Sequence, residues 1–443
     1  MTNIRLFILL RVLYNARFYY PVFTVLFLDY GLTVEQFAIL NVVWALTIVL
    51  AEVPSGALAD IFGRKRLLVS TCLIMIIELS LIAFVPVGNM KLVFFVFLIN
   101  RILSGLAEAM ASGADEAIAY DTLVLNKMTD EWGKVLEVQM KLQSIAFIIA
   151  MTLGSLVYDP NIINKVFNFI GMDYTFTQKQ TMRFPIYLTL ISSIIAFISV
   201  LKMEEPGINK SYLDDIKGFF NTSVITLKHT LATGKWILKT PFVLSIIMMG
   251  MLFDHSIRMV VTLTSQYYRL IKIPDAIFGL ISSAIYIIGL FIPKLSRVMT
   301  ERYTVMKNIL FLAILTIIGF YGISLFIPIF GIIPMIILFA AFMINGFFLS
   351  NYLNEETPSD IRATVLSFKG LTYNLAYGLI GILYSFFYGV YKERIIIVKP
   401  EISLQSAENI TFIASIGWFK WYFIFLFIII FISTYSVFKN YKS

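Results

Sequence analysis

Long apolar runs recur along the whole chain, and they constrain its fold more than any other feature of the sequence. A run of about 18 or more apolar residues with few charges can cross the hydrocarbon core of a bilayer as an α-helix. Backbone polar groups cannot stay unpaired in lipid, so we expect these runs to be helices. The approximate predicted spans are 6–29, 34–58, 67–87, 92–114, 138–158, 184–201, 241–265, 275–293, 306–327, 332–351, 366–390 and 411–437.

The composition supports an all-α integral membrane protein with twelve transmembrane helices. Of the 443 residues 59% are hydrophobic and 14% are charged, whereas about a quarter of a soluble domain is charged. The single cysteine, Cys72, excludes an intrachain disulfide and a thiolate metal site. Only two histidines occur, His229 and His255, which excludes a histidine-rich metal site. We therefore expect no metal and no cofactor.

The basic residues predict the orientation of the spans. Connections after even-numbered spans are rich in bases, as in Arg64, Lys65 and Arg66, whereas "DYGLTVEQ" and "FIPIFGIIP" after odd-numbered spans have none. Bases are enriched on the cytoplasmic side of membrane proteins, so both termini are predicted to be cytoplasmic. The same enrichment explains the net charge of +8 without nucleic acid as a partner.

Residues 202–240 form an extended polar break between the sixth and seventh spans. The break divides the chain into an N-terminal six-helix half (1–201), a cytoplasmic linker (202–240) and a C-terminal six-helix half (241–443). A six-plus-six plan is typical of a transporter built from two parallel repeats. Part of the linker is expected to be a helix on the membrane surface. The apolar residues that can share one face of this helix are Ile216, Phe219, Phe220 and Leu227.

A polar cluster, "EVPSGALADIFGRKR" (52–66), interrupts the apolar pattern between the second and third spans. Gly56 permits close approach of helices, and Gly63 permits a tight reversal with a positive φ. Asp60 and Arg64 can form a charged lock at the cytoplasmic rim. A generic positively charged turn would need only the three bases, and it does not explain the two glycines and the acid at these spacings.

With this stretch the chain resembles the major facilitator superfamily. "GALADIFGRKR" is similar to that family's loop motif between helices two and three. "SGADEAIAYD" (112–121) and "RATVLSFKGL" (362–371) are similar to its fourth-helix end and eleventh-helix start. The resemblance covers the whole chain and implies a fold of two six-helix halves.

The resemblance also implies a conformational gate. Asp60 and Arg64 would join Asp121 and stabilise the outward-facing state by holding the halves together on the inside. The corresponding stretch of the second half, "PKLSRVMTERY" (293–303), keeps the proline and the bases but lacks the glycines and the matching acid. We therefore expect an asymmetric gate with its stronger lock in the first half.

Several ionisable residues lie within the predicted spans of the first half. Such residues are costly in lipid and normally face a cavity or a partner. Arg17 lies near the middle of the first span and Glu78 near the middle of the third. In the fourth span, polar and small residues recur every three or four positions and predict a stripe that lines a water-filled path. The members of this stripe are Arg101, Ser104, Gly105, Glu108, Ser112 and Asp115.

The alternative for this stripe is a packed interhelical network without a transport role. Arg101 also loosely resembles the fourth-helix arginine of the family, which implies a link to proton coupling.

In the seventh span, "FDHSIRM" places Asp254 and Arg258 four residues apart on one helix face, with His255 beside them. A histidine near mid-membrane can titrate between about pH 5 and 8, which makes His255 a candidate proton site. The alternative is an ion pair that makes the helix insertable, next to a structural histidine.

These features favour a monomeric secondary active transporter in the cell membrane, which moves a small organic solute by alternating access. Buried acids suggest proton coupling, with efflux by antiport as the first choice. Uptake by proton symport and lipid-like cargo are the alternatives. Arg17 and Arg101 fit an anionic solute, whereas Glu78 and Glu108 fit a cation. A membrane-embedded enzyme is not expected, because no nucleophile–base pair or metal site is apparent.

Overall fold

A computed structural model describes residues 2–111, 114–205, 228, 234–289, 291–358 and 362–441. Throughout these residues the regular structure is helical. The helices of the N-terminal part are α1 (Thr2–Asn15), α2 (Phe23–Asp29), α3 (Val34–Phe62), α4 (Arg64–Phe84), α5 (Met90–Ala111), α6 (Ala114–Leu125), α7 (Trp132–Tyr158), α8 (Pro160–Phe169), α9 (Gln178–Thr181) and α10 (Phe184–Leu201). Those of the C-terminal part are α11 (Pro241–Thr262), α12 (Thr264–Leu270), α13 (Phe278–Gly289), α14 (Ile292–Arg302), α15 (Val305–Ile323), α16 (Ile332–Glu356), α17 (Arg362–Val398) and α18 (Leu404–Lys439).

The helical class agrees with the prediction from the apolar runs. Within the described residues, 10 helical segments are long and apolar enough to cross a membrane. The two predicted spans outside this set are the first, which is broken, and the eleventh, which coincides with α17. The eleventh is more polar because Asn374 and several tyrosines occupy its middle. The prediction of an all-α integral membrane protein is confirmed.

The first predicted span, 6–29, is wrong as a single helix. The chain leaves α1 after Asn15, passes through a 3-10 turn at Tyr20–Val22 and enters α2 at Phe23. The break exposes backbone groups that a helix would pair internally. The amide of Phe18 donates to Oγ1 of Thr189 on α10 at 3.1 Å. Gly154 on α7 packs so closely that a Cβ there would lie 1.7 Å from the carbonyl oxygen of Phe18.

The chain forms two compact units. Unit 1 comprises Met1–Thr33, Val43–Leu227 and Asp275–Ser283, and unit 2 comprises Val34–Val42, Lys228–Pro274 and Ala284–Ser443. In unit 1, α4 packs against α5 and α10. In unit 2, α11 packs against α16, α17 and α18. Aromatic pairs fill both cores, such as Phe27 with Phe97 in unit 1 and Phe253 with Phe423 in unit 2.

The division into 1–201, 202–240 and 241–443 stays a prediction. The predicted surface helix with Ile216, Phe219, Phe220 and Leu227 lies outside the described residues.

Candidate functional site

A buried ion pair occupies the break in the first span. Nη1 of Arg17 lies 3.2 Å from Oε1 of Glu78 on α4, and their side chains are 5% and 1% exposed. Nε of Arg17 donates to the carbonyl of Tyr14 at 3.1 Å, at the end of α1. Asn100 on α5 donates its amide to the carboxylate of Glu78, and to the backbone carbonyl of Glu78 at 3.0 Å. The broken first span therefore supplies both Arg17 and the carbonyl group of Tyr14 that accepts its hydrogen bond.

Arg101 is the second buried guanidinium of this region. Its side chain lies among aromatic rings, 5.3 Å from the ring centre of Phe23 and 5.5 Å from that of Trp44. Cation–π contacts of this kind stabilise a charge withdrawn from water. Arg101 also lies close enough to Glu78 for their charges to interact. We call Arg17, Glu78 and Arg101 the buried charge cluster.

Two members of the predicted polar stripe, Gly105 on α5 and Asp115 on α6, are packed against protein. A Cβ on Gly105 would lie 2.8 Å from the backbone carbonyl of Trp44, so α3 covers this position. Asp115 is buried and pairs with Nε of Arg11 at 3.1 Å. Glu108 is exposed, with the hydroxyl of Tyr14 at 3.5 Å. Ser112 lies outside the described residues, and Glu108 is the exposed member of the stripe. That the stripe lines a water-filled path stays a prediction.

Unit 2 contains a second polar group, on α11. Oδ2 of Asp254 lies 2.6 Å from Nη2 of Arg258. Nη1 of Arg258 donates to Oδ1 of Asn374 on α17 at 3.0 Å, and its guanidinium lies 5.4 Å from the ring centre of Tyr377. The charge of Asp254 is thus balanced within its own helix, and α17 fixes the orientation of the arginine.

His255 is held by both ring nitrogens. Nδ1 lies 2.6 Å from the carbonyl oxygen of Met251, and Nε2 lies 2.8 Å from the hydroxyl of Tyr422 on α18. A carbonyl only accepts hydrogen bonds, so Nδ1 is the donor and a neutral ring accepts from Tyr422 at Nε2. This geometry suits a structural histidine, and its role as a proton site stays a prediction.

The predicted gate is described in part. The guanidinium of Arg64 forms an ion pair with Asp121 at the end of α6. Gly63 has a φ of +89°, a conformation that glycine adopts without strain, and it permits the reversal between α3 and α4. The side chain of Asp60 and the surroundings of Gly56 lie outside what the structure describes.

Glu205 completes this region and was not predicted. Its carboxylate accepts hydrogen bonds from the backbone amides of Arg64 at 3.0 Å and Lys65 at 2.7 Å. A carboxylate is favourable at the positive N-terminal end of a helix, here that of α4. The available signal was an acid just after the sixth span in "KMEEPG", although nothing local indicates its partner.

Asn100 and Asn374 were also missed as site residues. Each is an amide within a predicted membrane span, where an amide withdrawn from water needs a hydrogen-bond partner. The presence of each amide therefore predicts a polar partner, but the sequence does not indicate which residue that partner is. Among the described residues, no group of three or more His, Cys, Asp or Glu is arranged to hold a metal ion.

Comparisons with known proteins indicate the family and the fold. The family model described as Major Facilitator Superfamily matches residues 6–381. No curated protein sequence matches the chain significantly.

Solved structures match over nearly the full length. A bacterial homologue of the human lysosomal transporter Spinster, described as inward-facing and unoccupied, has a TM-score of 0.71 at 13% identity and covers 100% of this chain and 99% of its own. The nucleoside transporter NupG has a TM-score of 0.65 at 17% identity, covering 96% and 98%. A D-xylose–proton symporter has a TM-score of 0.63 at 14% identity, covering 96% and 96%. At these identities the likeness concerns the fold alone.

Proposed function

Since the chain belongs to the major facilitator superfamily, whose members are secondary transporters and not enzymes, we propose that it moves a small anionic organic solute together with protons. It is a multi-pass membrane protein. Family membership indicates a secondary transporter. Our proposal goes further in naming an anionic solute, the proton as the coupling ion, and movement of both in the same direction. The observation that carries it is the ion pair of Arg17 and Glu78 inside the broken first span.

Protonation of Glu78 links the proton to the solute. While Glu78 is charged, Arg17 is paired with it at 3.2 Å. A proton on the carboxyl group removes that attraction and frees the guanidinium to bind another anion. A planar guanidinium matches carboxylate and phosphate groups through paired hydrogen bonds. The proton and an anionic solute therefore favour each other's binding, which is the requirement for symport.

The charge balance of the buried cluster supports the same solute class. Two guanidinium groups, of Arg17 and Arg101, accompany one carboxylate, that of Glu78, and all three side chains are buried. Buried charge in a membrane is stable only when it is compensated. Protonation of Glu78 removes one negative charge from this cluster, and an anionic group of the solute would restore it. In unit 2, the charges of Asp254 and Arg258 compensate each other, so this ion pair does not favour an anionic solute.

Efflux by proton antiport is the second candidate, and Glu108 is the observation in its favour. Its carboxylate is exposed within α5. A cationic solute and a proton would compete for such a group, so one would be exchanged for the other. Both candidates keep the further proposals of a monomer, cytoplasmic termini and an expected location in the cell membrane.

Purified protein in liposomes loaded with a pH-sensitive dye distinguishes the candidates. External monocarboxylates, organic phosphates, zwitterions and organic cations are added in turn, and empty liposomes control for passive permeation of weak acids. We expect an anionic compound to acidify the lumen. Glu78→Gln should abolish this acidification and retain exchange of labelled for unlabelled solute, since Arg17 remains. Glu137→Gln, at a carboxylate that is 62% exposed, is the matched control.

Two results would contradict symport. One is solute-driven acidification that persists in Glu78→Gln, which would remove this carboxylate from the coupling. The other is alkalinisation driven by a cation and lost in Glu108→Gln, which would establish antiport instead.

A further inference from the structure

A groove with a volume of about 470 Å³ lies between α17 and α18. Its wall on α17 consists of residues spaced three or four apart, which places them on one face of the helix. The residues of this face are Ile380, Leu383, Phe387, Val390 and Arg394. The volume is within the range of roughly 300–1,000 Å³ typical of sites for small ligands.

The groove is open along its apolar wall. Leu383 is 48% exposed, Phe387 53% and Val390 51%. The floor is closed by Tyr384 and Phe419, which are 5% and 4% exposed. An exposed apolar face on a membrane-spanning helix contacts lipid tails and not water. The natural occupant of such a groove is therefore a hydrocarbon chain of the bilayer.

The charge pattern of α17 indicates the depth of the groove. Residues 370–391 contain no charged side chain. At 1.5 Å per residue they extend about 33 Å, close to the hydrocarbon thickness of about 30 Å. Arg394 consequently lies at the membrane surface. Tyr391 and Trp418 pair edge to face at 5.7 Å beside it, and such residues are enriched at the boundary between lipid and water.

Arg394 differs from its neighbour Lys392 in how its charge is compensated. Lys392 pairs with Glu35, and Glu408 lies 3.8 Å from its Nζ. No hydrogen bond or ion pair engages the side chain of Arg394 within the described parts of the chain, and the residue is exposed. A guanidinium in this position complements a phosphate group.

We propose that the groove between α17 and α18 binds an anionic phospholipid of the bilayer, with one acyl chain along the apolar wall and the phosphate on Arg394. From Ile380 to Arg394 the wall extends about 21 Å. This is longer than one leaflet's share of the hydrocarbon core, about 15 Å. The groove thus accommodates a chain and the glycerol region above it, and its polar end coincides with the headgroup.

Native mass spectrometry of the full-length protein in detergent tests the proposal. Dioleoyl phosphatidylglycerol and dioleoyl phosphatidylcholine are titrated separately, and bound lipid is counted per protein. We expect phosphatidylglycerol to bind about fivefold more tightly, since one basic side chain near an anionic lipid contributes about that factor. Arg394→Gln should abolish the preference. Lys399→Gln, at an exposed base just beyond the end of α17, should preserve it.

A second variant tests the apolar wall. Leu383→Trp places a larger side chain in the groove and should weaken binding of both lipids. Size-exclusion profiles verify that the variants fold, and Arg394→Gln alters only an exposed side chain. Equal affinity for the two lipids, or an unchanged preference in Arg394→Gln, would overturn the proposal. A dimer that disappears in Leu383→Trp would also overturn it and identify a second copy of the chain as the occupant.

Discussion

At the scale of single residues, pairing of Arg17 with Glu78 lowers the free-energy cost of burying each charge within the membrane. A lone charge at the centre of a spanning helix costs about 2.5–3.5 kcal/mol on insertion scales. The ion pair at 3.2 Å and the amide of Asn100 offset this cost. Replacing one partner by glutamine leaves the charge of the other uncompensated. Replacing both leaves two neutral amides and no buried charge at this position. The pair should therefore show strong coupling in a double-mutant cycle.

We predict that Arg17→Gln lowers the stability of the protein by about 3–5 kcal/mol, because Glu78 is then buried without its counter-ion. The double variant Arg17→Gln/Glu78→Gln should recover more than half of that loss. Thermal unfolding in detergent, followed by tryptophan fluorescence, measures both. Losses that simply add in the double variant would refute the coupling.

At the scale of the elements, the break between α1 and α2 creates this site. It brings Arg17 out of a regular helix and leaves the carbonyl of Tyr14 to accept from Nε of Arg17. The broken backbone is stabilised by distant partners, the hydroxyl of Thr189 and the close contact with Gly154. Discontinuous helices of this kind commonly form transporter binding sites.

Gly154→Ala should destabilise the protein and impair transport, since the new Cβ would lie 1.7 Å from the carbonyl oxygen of Phe18. The two backbones would have to move apart, which shifts Arg17. Gly346→Ala is a matched control within α16, where nothing lies within 4 Å of the new methyl group. There alanine should stabilise the helix by up to about 1 kcal/mol. Apparent melting temperatures and solute uptake measure the contrast. Similar effects of the two changes would argue against this role of Gly154.

The same break shows what could be predicted from the sequence. The apolar runs predict the membrane spans, and the stretch 52–66 carries the resemblance to the family. Both could be recognised because each signal lies within a short segment of the sequence. Pro21 is the only local sign of a break, yet the helix ends earlier, at Asn15. Its determinants, Gly154 and Thr189, lie more than a hundred residues further along the chain. Arg17 and Glu78 were recognised separately because charges stand out in apolar runs, whereas their pairing depends on packing.

At the scale of the whole molecule, the distribution of basic residues determines the predicted orientation. The first half has bases in the short connections after its even-numbered spans, and both termini belong to that side. Short connections follow the positive-inside rule more closely than long ones. The two longer predicted outer loops, 159–183 and 391–410, carry some Lys and Arg and so oppose the rule weakly. The orientation therefore depends on the short connections.

Labelling of single cysteines tests the orientation, because Cys72 is the only native cysteine and is 0% exposed. In a Cys72→Ser background, Glu401→Cys and Asn440→Cys place thiols at exposed positions near the two ends of α18. We expect a membrane-impermeant maleimide to label Glu401→Cys in intact cells, and Asn440→Cys only after permeabilisation. These positions flank the same helix, so their labelling should be opposite whichever way the protein inserts. The reverse pattern would place both termini outside.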